Sequence, residues 1–436
     1  MRGKLAQRVR GLFRHALVQN ALSLYGVQVS SYIVPLVTIP YIARVLGASG
    51  WGLVAFAQAF GAYTALIGEY GFALSATREI ARNRDKPEEL SEIVAGVMGA
   101  KTMLAVGTVA LAFLAHWWIP IFRERPLLFW AAMFWAVGQA FNMMWYFQGV
   151  ERMRLPAALD ISAKTLATAG IFLFVHRPGD EWRVLLIQGL GYFLSFTVCV
   201  LLMYREIPFR LPSWRPTIDA LRMGWSMFLF KSSVSLYTAG NAFILGLFVS
   251  PEMVGFFAGA EKITRAFLGL LSPINQTLFP RMNHLVQTAR DRAVRLMRIS
   301  VGIMGAIGVL LGVALLVLAP LLVHLILGAS FAPAVPLLRI LAVLPPLIAL
   351  SNVFGIQWML SLGLDRPFNI IILLAGLTNV GLATLLAPRY GATGMALAVV
   401  CAETFVTAGI YLVLRLRRMD PGSYSARIKE NAAPAL

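Results

Sequence analysis

Apolar stretches that repeatedly exceed 20 residues punctuate the chain, and they limit its fold more than any other feature. In helical form about 20 such residues cross the roughly 30 Å hydrocarbon layer of a bilayer. A soluble chain of this length would fold as two or three domains, its apolar stretches broken every 10–15 residues by solvated turns. Composition agrees with the membrane reading: 58% of residues are hydrophobic, 13% are charged, and the mean hydropathy is +0.73. Soluble domains are nearer half apolar and a quarter charged. The expected fold class is an all-α integral membrane protein.

The apolar runs predict helices at 20–44, 51–77, 91–114, 127–149, 156–176, 183–204, 223–249, 253–280, 299–319, 334–361, 368–387 and 392–414. That is about twelve transmembrane helices, with the longest connections near 78–90, 205–222 and 281–298. Lys and Arg then set the orientation, because they accumulate on the cytoplasmic side. With the N-terminus inside, the inner segments hold 26 Lys and Arg and the outer ones only five: Arg123, Arg125, Arg177, Arg183 and Arg389. The asymmetry predicts cytoplasmic termini. The opening stretch carries Arg2, Lys4, Arg8, Arg10 and Arg14 without the compact apolar core of a signal peptide, so it reads as a basic cytoplasmic tail.

The net charge of +18 raises nucleic acid as a partner. No basic domain, aromatic-plus-basic sheet pattern or zinc-finger spacing supports that partner, and none is expected. Cys199 and Cys401 both fall in apolar runs, predicting two buried thiols and no disulfide. The five histidines are scattered without metal-ligand spacing. Gly47-Ala-Ser-Gly-Trp-Gly52 has the glycines of a phosphate loop but lacks its strand and lysine, and reads as a tight turn between the first two helices.

A shift of 203 residues lays the first two helices on the seventh and eighth. Gly52 then meets Gly255, Ala55 meets Ala258, Ala57 meets Ala260 and Arg78 meets Arg281. Two halves with an even number of helices share one orientation, the layout of rocker-type transporters whose substrate site lies between the halves. The expected organisation is an N-terminal six-helix lobe at 1–220 and a C-terminal six-helix lobe at 221–436. Each carries a basic cytoplasmic tail, and the two surround a central cavity.

Several segments carry a resemblance. YIVPLVTIPYIARVLGASGWGLVAFAQAF (32–60), EYGFALSATREIAR (69–82), FNMMWYFQGVERM (141–153), the stretch from Phe228 to Phe267 and PINQTLFPRM (273–282) resemble the O-antigen and exopolysaccharide flippase family. That family belongs to the multidrug/oligosaccharidyl-lipid/polysaccharide exporter superfamily. The resemblance implies a two-lobed transporter of the bacterial inner membrane. Its implied cargo is undecaprenyl-diphosphate-linked oligosaccharide, moved from the cytoplasmic to the periplasmic leaflet. It implies membrane lipid and the polysaccharide polymerase machinery as further contacts, no cofactor, and coupling to a proton or sodium gradient.

Seven basic residues fall within the predicted spans (Arg44, Lys101, Lys164, Lys231, Lys262, Arg265 and Arg339) beside four acids (Glu69, Asp160, Glu261 and Glu403), an excess of +3 that leaves aside Glu92 at the mouth of the third span. A lone charge at mid-bilayer costs about 2.5–3.5 kcal/mol on insertion scales, so such residues should face water or one another. On the resemblance, Lys101, Lys231, Lys262, Arg265, Lys164 and Arg44 are the candidates to line a cationic cavity for the diphosphate headgroup. Charge-assisted hydrogen bonds would replace the water that the phosphates lose. Glu69, Asp160 and Glu403 are the candidate ion-coupling carboxylates. A plainer reading competes at several positions. Asp160–Lys164 and Glu261–Arg265 have the four-residue spacing of pairs along one helix face, and Arg44 and Arg339, near predicted outer ends, can snorkel to the interface. Glu69 and Glu403 can serve as interhelical partners. The aromatic fourth helix, from Trp130 to Phe147, fits core packing better than sugar stacking.

Two other functions fit a chain of this kind. A multidrug-type antiporter of organic cations would need an acidic or neutral cavity, against the embedded +3. A membrane polysaccharide polymerase or ligase would typically carry a large periplasmic loop, whereas no outer segment here exceeds about fifteen residues.

Overall fold

The computed structural model describes residues 2–420, except the side chains of 2–25, 27–33, Leu236 and Tyr237. The side chains of the basic opening stretch, with Arg427 and Lys429, therefore lie outside the described residues. The described residues form helices and no strand. They cluster into two compact units, one comprising 1–50 and 56–232, the other 51–55 and 233–436.

The first unit contains α1 (Arg2–Glu69), α2 (Phe72–Arg82), α3 (Pro87–Trp118), α4 (Pro120–Glu124), α5 (Pro126–Ala140), α6 (Met144–Gly149), α7 (Arg154–Phe174), α8 (Glu181–Met203) and most of α9 (Trp214–Thr238). Local chemistry places several starts. Pro87, Pro120 and Pro126 open their helices, where the missing N–H costs nothing. Glu88 and Glu89 meet the positive end of α3. The core below α2 is aromatic: Trp145, Tyr146 and Phe147 are buried with Phe72, Ile80 and Val94. The aromatic run of the fourth helix is thus packing material, apart from Trp130, which is exposed.

The second unit contains α10 (Asn241–Gly246), α11 (Pro251–Gly269), α12 (Ser272–Thr288), α13 (Arg290–Ile326), α14 (Ala334–Leu341), α15 (Leu344–Ser351), a π-helical stretch (Asn352–Met359) and α16 (Asp365–Leu416). Gly308 and Gly312 let α13 approach the chain around Ala342–Pro346 closely. A Cβ on Gly312 would lie 2.7 Å from the Ala342 carbonyl, and one on Gly308 would lie 2.9 Å from that of Pro345. Small residues four apart are how helices pack in lipid, where hydrophobic exclusion gives no drive. On the same helix Val309, Leu310, Val313, Val317 and Leu321 are exposed. Such a stripe is a liability in water and is solvated by acyl chains. Gly52 packs against Gly255, its mate under the 203-residue shift, so tightly that a Cβ on it would lie 2.7 Å from the Gly255 amide nitrogen.

Among the described residues, eight helical stretches are long and apolar enough to cross a membrane. Two of them, Val34–Arg82 and Asp365–Leu416, run 49 and 52 residues. At 1.5 Å per residue each would measure about 75 Å, over twice the hydrocarbon depth. Both break at a glycine in the left-handed region, Gly47 (φ 68°) and Gly391 (φ 57°), so each holds two crossings. The remaining two predicted crossings are the charged ones, around 223–249 and 253–280. They too are helical, as α9–α10 and α11–α12, which brings the total to twelve.

The structure corrects several details. The second crossing does not run unbroken to 77 but stops at Tyr70–Gly71. The fourth breaks at 141–143, the seventh at 239–240 and the eighth at 270–271. The supposed connection at 281–298 is helical except at Ala289. Both cysteines are free thiols, but only Cys199 is buried; Cys401 is exposed.

Candidate functional site

The break at Tyr70–Gly71 organises the charge cluster of the first unit. Where α1 stops, the first amides of α2 lose their carbonyl partners, and within a membrane something must replace them. Glu69 does so: its carboxylate accepts from the amides of Gly71 (3.2 Å) and Ala73 (2.7 Å). Tyr70 sits at φ 51°, a strained conformation for a residue with a Cβ. Its ring stacks on Phe228 with centroids 4.7 Å apart. Gly71 and Gly224 leave just enough room for this contact: a Cβ on Gly71 would lie 2.6 Å from that of Met227, and one on Gly224 would lie 2.8 Å from the Tyr70 carbonyl oxygen. The break is therefore pressed onto α9 around Phe228. One helical turn further on, Lys231 reaches Glu69, Nζ to Oε2 at 2.8 Å.

A second break supplies the second lysine. α5 ends at Ala140, and Asn142 Oδ1 takes the amide of Met144, so the Ala140 carbonyl is left to find another donor. Lys101, only 1% exposed, donates its ammonium to that carbonyl at 2.6 Å. The site suits a cation, since helix C-termini carry partial negative charge. Glu69 interacts electrostatically with both Lys231 and Lys101. Three charges from α1, α3 and α9 are thus gathered at two broken helices with a surplus of one positive charge. Lys231 and Glu69 keep 30% and 21% of their side-chain surface open, while Lys101 is closed off. Beside Ala140 a narrow cleft, with room for about 10 Å³, is lined by Thr64, Gly68, Thr108 and Met133.

The other candidates stand apart from this cluster. Lys164 pairs with buried Asp160 at 2.7 Å within α7. In the second unit Arg265 pairs with Glu261 at 2.9 Å and also donates to the Thr238 carbonyl. Glu261 accepts from Asn241 (3.1 Å), whose own side-chain oxygen accepts from Asn379 (3.0 Å). Both four-residue pairs therefore form. Lys262, Arg44 and Arg339 are exposed. Glu403 is 6% exposed, and its carboxylate accepts a hydrogen bond from Ser351 Oγ at 2.8 Å. Sequence reasoning did not single out the Ala140 carbonyl, Ser351, Asn379, or the Asn275–Gln357 bond at 2.7 Å. Asn and Gln inside apolar runs were the available signal for the last three residues.

Comparison with known proteins bears on what such a molecule is. The family model described as "Polysaccharide biosynthesis protein" matches residues 17–286. A relative from Escherichia coli (strain K12) is 30% identical over 409 residues, covering 93% of this chain and 98% of the relative. One from Shigella dysenteriae is 29% identical over 396 residues, covering 89% and 97%. Both carry the name "Putative O-antigen transporter". Among solved structures, the lipid II flippase MurJ in an inward closed conformation superposes with a TM-score of 0.70 at 12% identity, over 93% of this chain and 90% of that one. An inward-facing multidrug resistance MATE family transporter of the MOP superfamily gives 0.58 at 15% identity, over 91% and 99%. At such identities these two speak for the fold alone. The relatives are named as transporters, which sets aside the polymerase or ligase alternative: the chain is a multi-pass membrane transporter and not an enzyme. With a family model spanning more than half of its residues and a relative aligned nearly from end to end, this chain belongs to the polysaccharide biosynthesis protein family, alongside the O-antigen transporters.

Proposed function

We propose that the protein flips an undecaprenyl-diphosphate-linked oligosaccharide from the cytoplasmic to the periplasmic leaflet of a bacterial inner membrane, by alternating access between two packings. The observation that carries this reading is the surplus positive charge held at membrane depth by Lys101 and Lys231 around a single carboxylate, Glu69. A diphosphate approaching Lys231 can take over the ammonium that Glu69 now holds, because phosphate oxygens accept charge-assisted hydrogen bonds at least as well. Glu69 keeps its two amide donors and is not left bare. Lys101 stays fixed on the Ala140 carbonyl and contributes field, not contact. Binding of the headgroup is thereby linked to the break on which Glu69 sits, and a ligand shifts a conformational equilibrium only through such differential interaction. The surplus positive charge of the Lys101–Lys231–Glu69 cluster supports an anionic cargo over the organic cations of a multidrug antiporter.

Deleting the gene in its host and extracting the lipids tests the function. The expected result is loss of surface polysaccharide with accumulation of a lipid-linked saccharide; normal polysaccharide overturns the reading. The orientation is tested with single cysteines beside Arg366 and beside Arg389. Only the second should react with a membrane-impermeant maleimide added to whole cells.

A further inference from the structure

We propose that Glu403 is the proton-binding carboxylate that couples transport to a proton gradient, and that its protonation acts on the adjoining π-helical stretch through Ser351. The inference rests on the flippase reading and deepens it by naming the driving ion and its site.

Glu403 differs from the other buried acids in what faces it. Elements packed against α16 are α10, α11, α14, α15 and the π-helical stretch. Their charged groups are Glu252, Glu261, Lys262 and Arg265 on α11 and Arg339 on α14. On α16 itself the titratable groups are Asp365, Arg366, Arg389, Tyr390, Cys401, Tyr411 and Arg415. None of these interacts electrostatically with Glu403, whose interacting side chain is Ser351. A carboxylate shut away from water without a cation is costly, and a proton relieves that cost. Among the described residues no group of three or more His, Cys, Asp or Glu side chains that could hold a metal ion gathers here.

Ser351 can register the proton. Its hydroxyl lies 2.8 Å from Glu403 Oε1 and 3.2 Å from the Ile348 carbonyl, yet it has one hydrogen to donate. With Glu403 ionised, that hydrogen points to the carboxylate. When Glu403 takes a proton from water, the new carboxyl O–H donates to Ser351 Oγ and the serine hydrogen turns to Ile348. No other bond changes, and deprotonation reverses the swap. Beside it Thr407 Oγ1 lies 3.0 Å from the Glu403 carbonyl and 3.2 Å from that of Leu347, with one hydrogen to donate to either.

Ser351 is the residue immediately before the π-helical stretch Asn352–Met359. π turns are rare, less stable than α turns, and concentrated where helices rearrange. The far part of the stretch is tied to α12 by Gln357, fully buried, which donates to Asn275 while its own Oε1 has no partner among the described residues. A hydrogen-bond swap at one end thus bears on a π-helical stretch whose other end grips α12.

The test uses the full-length protein in liposomes of E. coli polar lipids, with infrared difference spectra across a pH titration and hydrogen exchange over 351–359 normalised to α13. Wild type should show a protonated-carboxyl band that disappears as pH rises, and exchange in the π stretch should change at least about 3-fold over the same range. Glu403→Gln should lose the band and the pH response. Ser351→Ala should keep the band, move the pH at which it disappears, and lose the exchange response. Glu403→Gln cells should make no surface polysaccharide at normal protein level. A band that persists in Glu403→Gln, or full polysaccharide from that variant, overturns the proton site. If Lys231→Met cells lose polysaccharide while Glu403→Gln cells keep it, the flippase reading survives without this coupling; if both keep it, both fall.

Discussion

Two carboxylates, half-buried Glu69 in the first unit and buried Glu403 in the second, sit in opposite settings. Glu69 is held by two backbone amides, the Lys231 ammonium and the nearby charge of Lys101. Glu403 has a single hydroxyl. A carboxylate so heavily supported keeps its charge and acts as a fixed cap that can hand a cation to a ligand. One with so little support can exchange a proton. On the two proposals above, the contrast divides the labour of a coupled transporter: the first unit would supply cargo recognition and the second a response to the ion gradient.

Four variants would break or sharpen that contrast. The largest expected effect is from Lys231→Met combined with Glu69→Gln. This double change removes both charges while keeping side-chain volume, so a purely structural pair would tolerate it and largely recover the loss caused by Lys231→Met alone. The division above predicts no recovery, with surface polysaccharide down about 100-fold at normal protein level on immunoblots. Next comes Lys101→Met, which strips the Ala140 carbonyl of its donor. Loss of a buried hydrogen bond to a charged group costs about 1.5–3 kcal/mol, so both melting temperature and polysaccharide should fall. Smaller and purely structural is Gly312→Leu, whose side chain would collide with the Ala342 carbonyl. Overpacking of this kind costs about 1–3 kcal/mol, read as a lower melting temperature in detergent, with transport per folded molecule unchanged. The smallest effect belongs to Lys164→Gln with Asp160→Asn, which replaces one self-contained pair by neutral groups. It should change stability by under about 1 kcal/mol and leave polysaccharide intact; a transport defect would put α7 into the cargo path.

Much of this was legible in the sequence, and the boundary of legibility has a physical cause. Hydropathy reads the solvent a helix needs, so the crossings and the all-α class follow from apolar length alone. Spacing reads contacts within one helix, so Asp160–Lys164 and Glu261–Arg265 could be anticipated from their four-residue separation. Neither signal sees a backbone break inside an apolar run. Tyr70–Gly71, the 141–143 break and the π stretch all lie inside runs that read as single helices (51–77, 127–149 and 334–361), and the charged residues exploit those interruptions. Lys101 and Lys231 were visible as lysines with no acid three or four residues away. That one rests on the last carbonyl of α5 and the other on a carboxylate 162 residues away required the tertiary structure. Glu403 was visible as a buried acid but not as one facing a lone serine, because Ser351 lies 52 residues earlier on another helix.

The central claim is that cationic side chains at membrane depth carry an anionic headgroup across. It is tested most directly by the leaflet in which lipid-linked saccharide resides, measured as its accessibility to a periplasmic lectin in spheroplasts expressing wild type or the Lys231→Met, Glu69→Gln pair. The account predicts lectin-accessible saccharide with wild type and saccharide confined to the cytoplasmic leaflet with the double variant. Equal accessibility in both would contradict it.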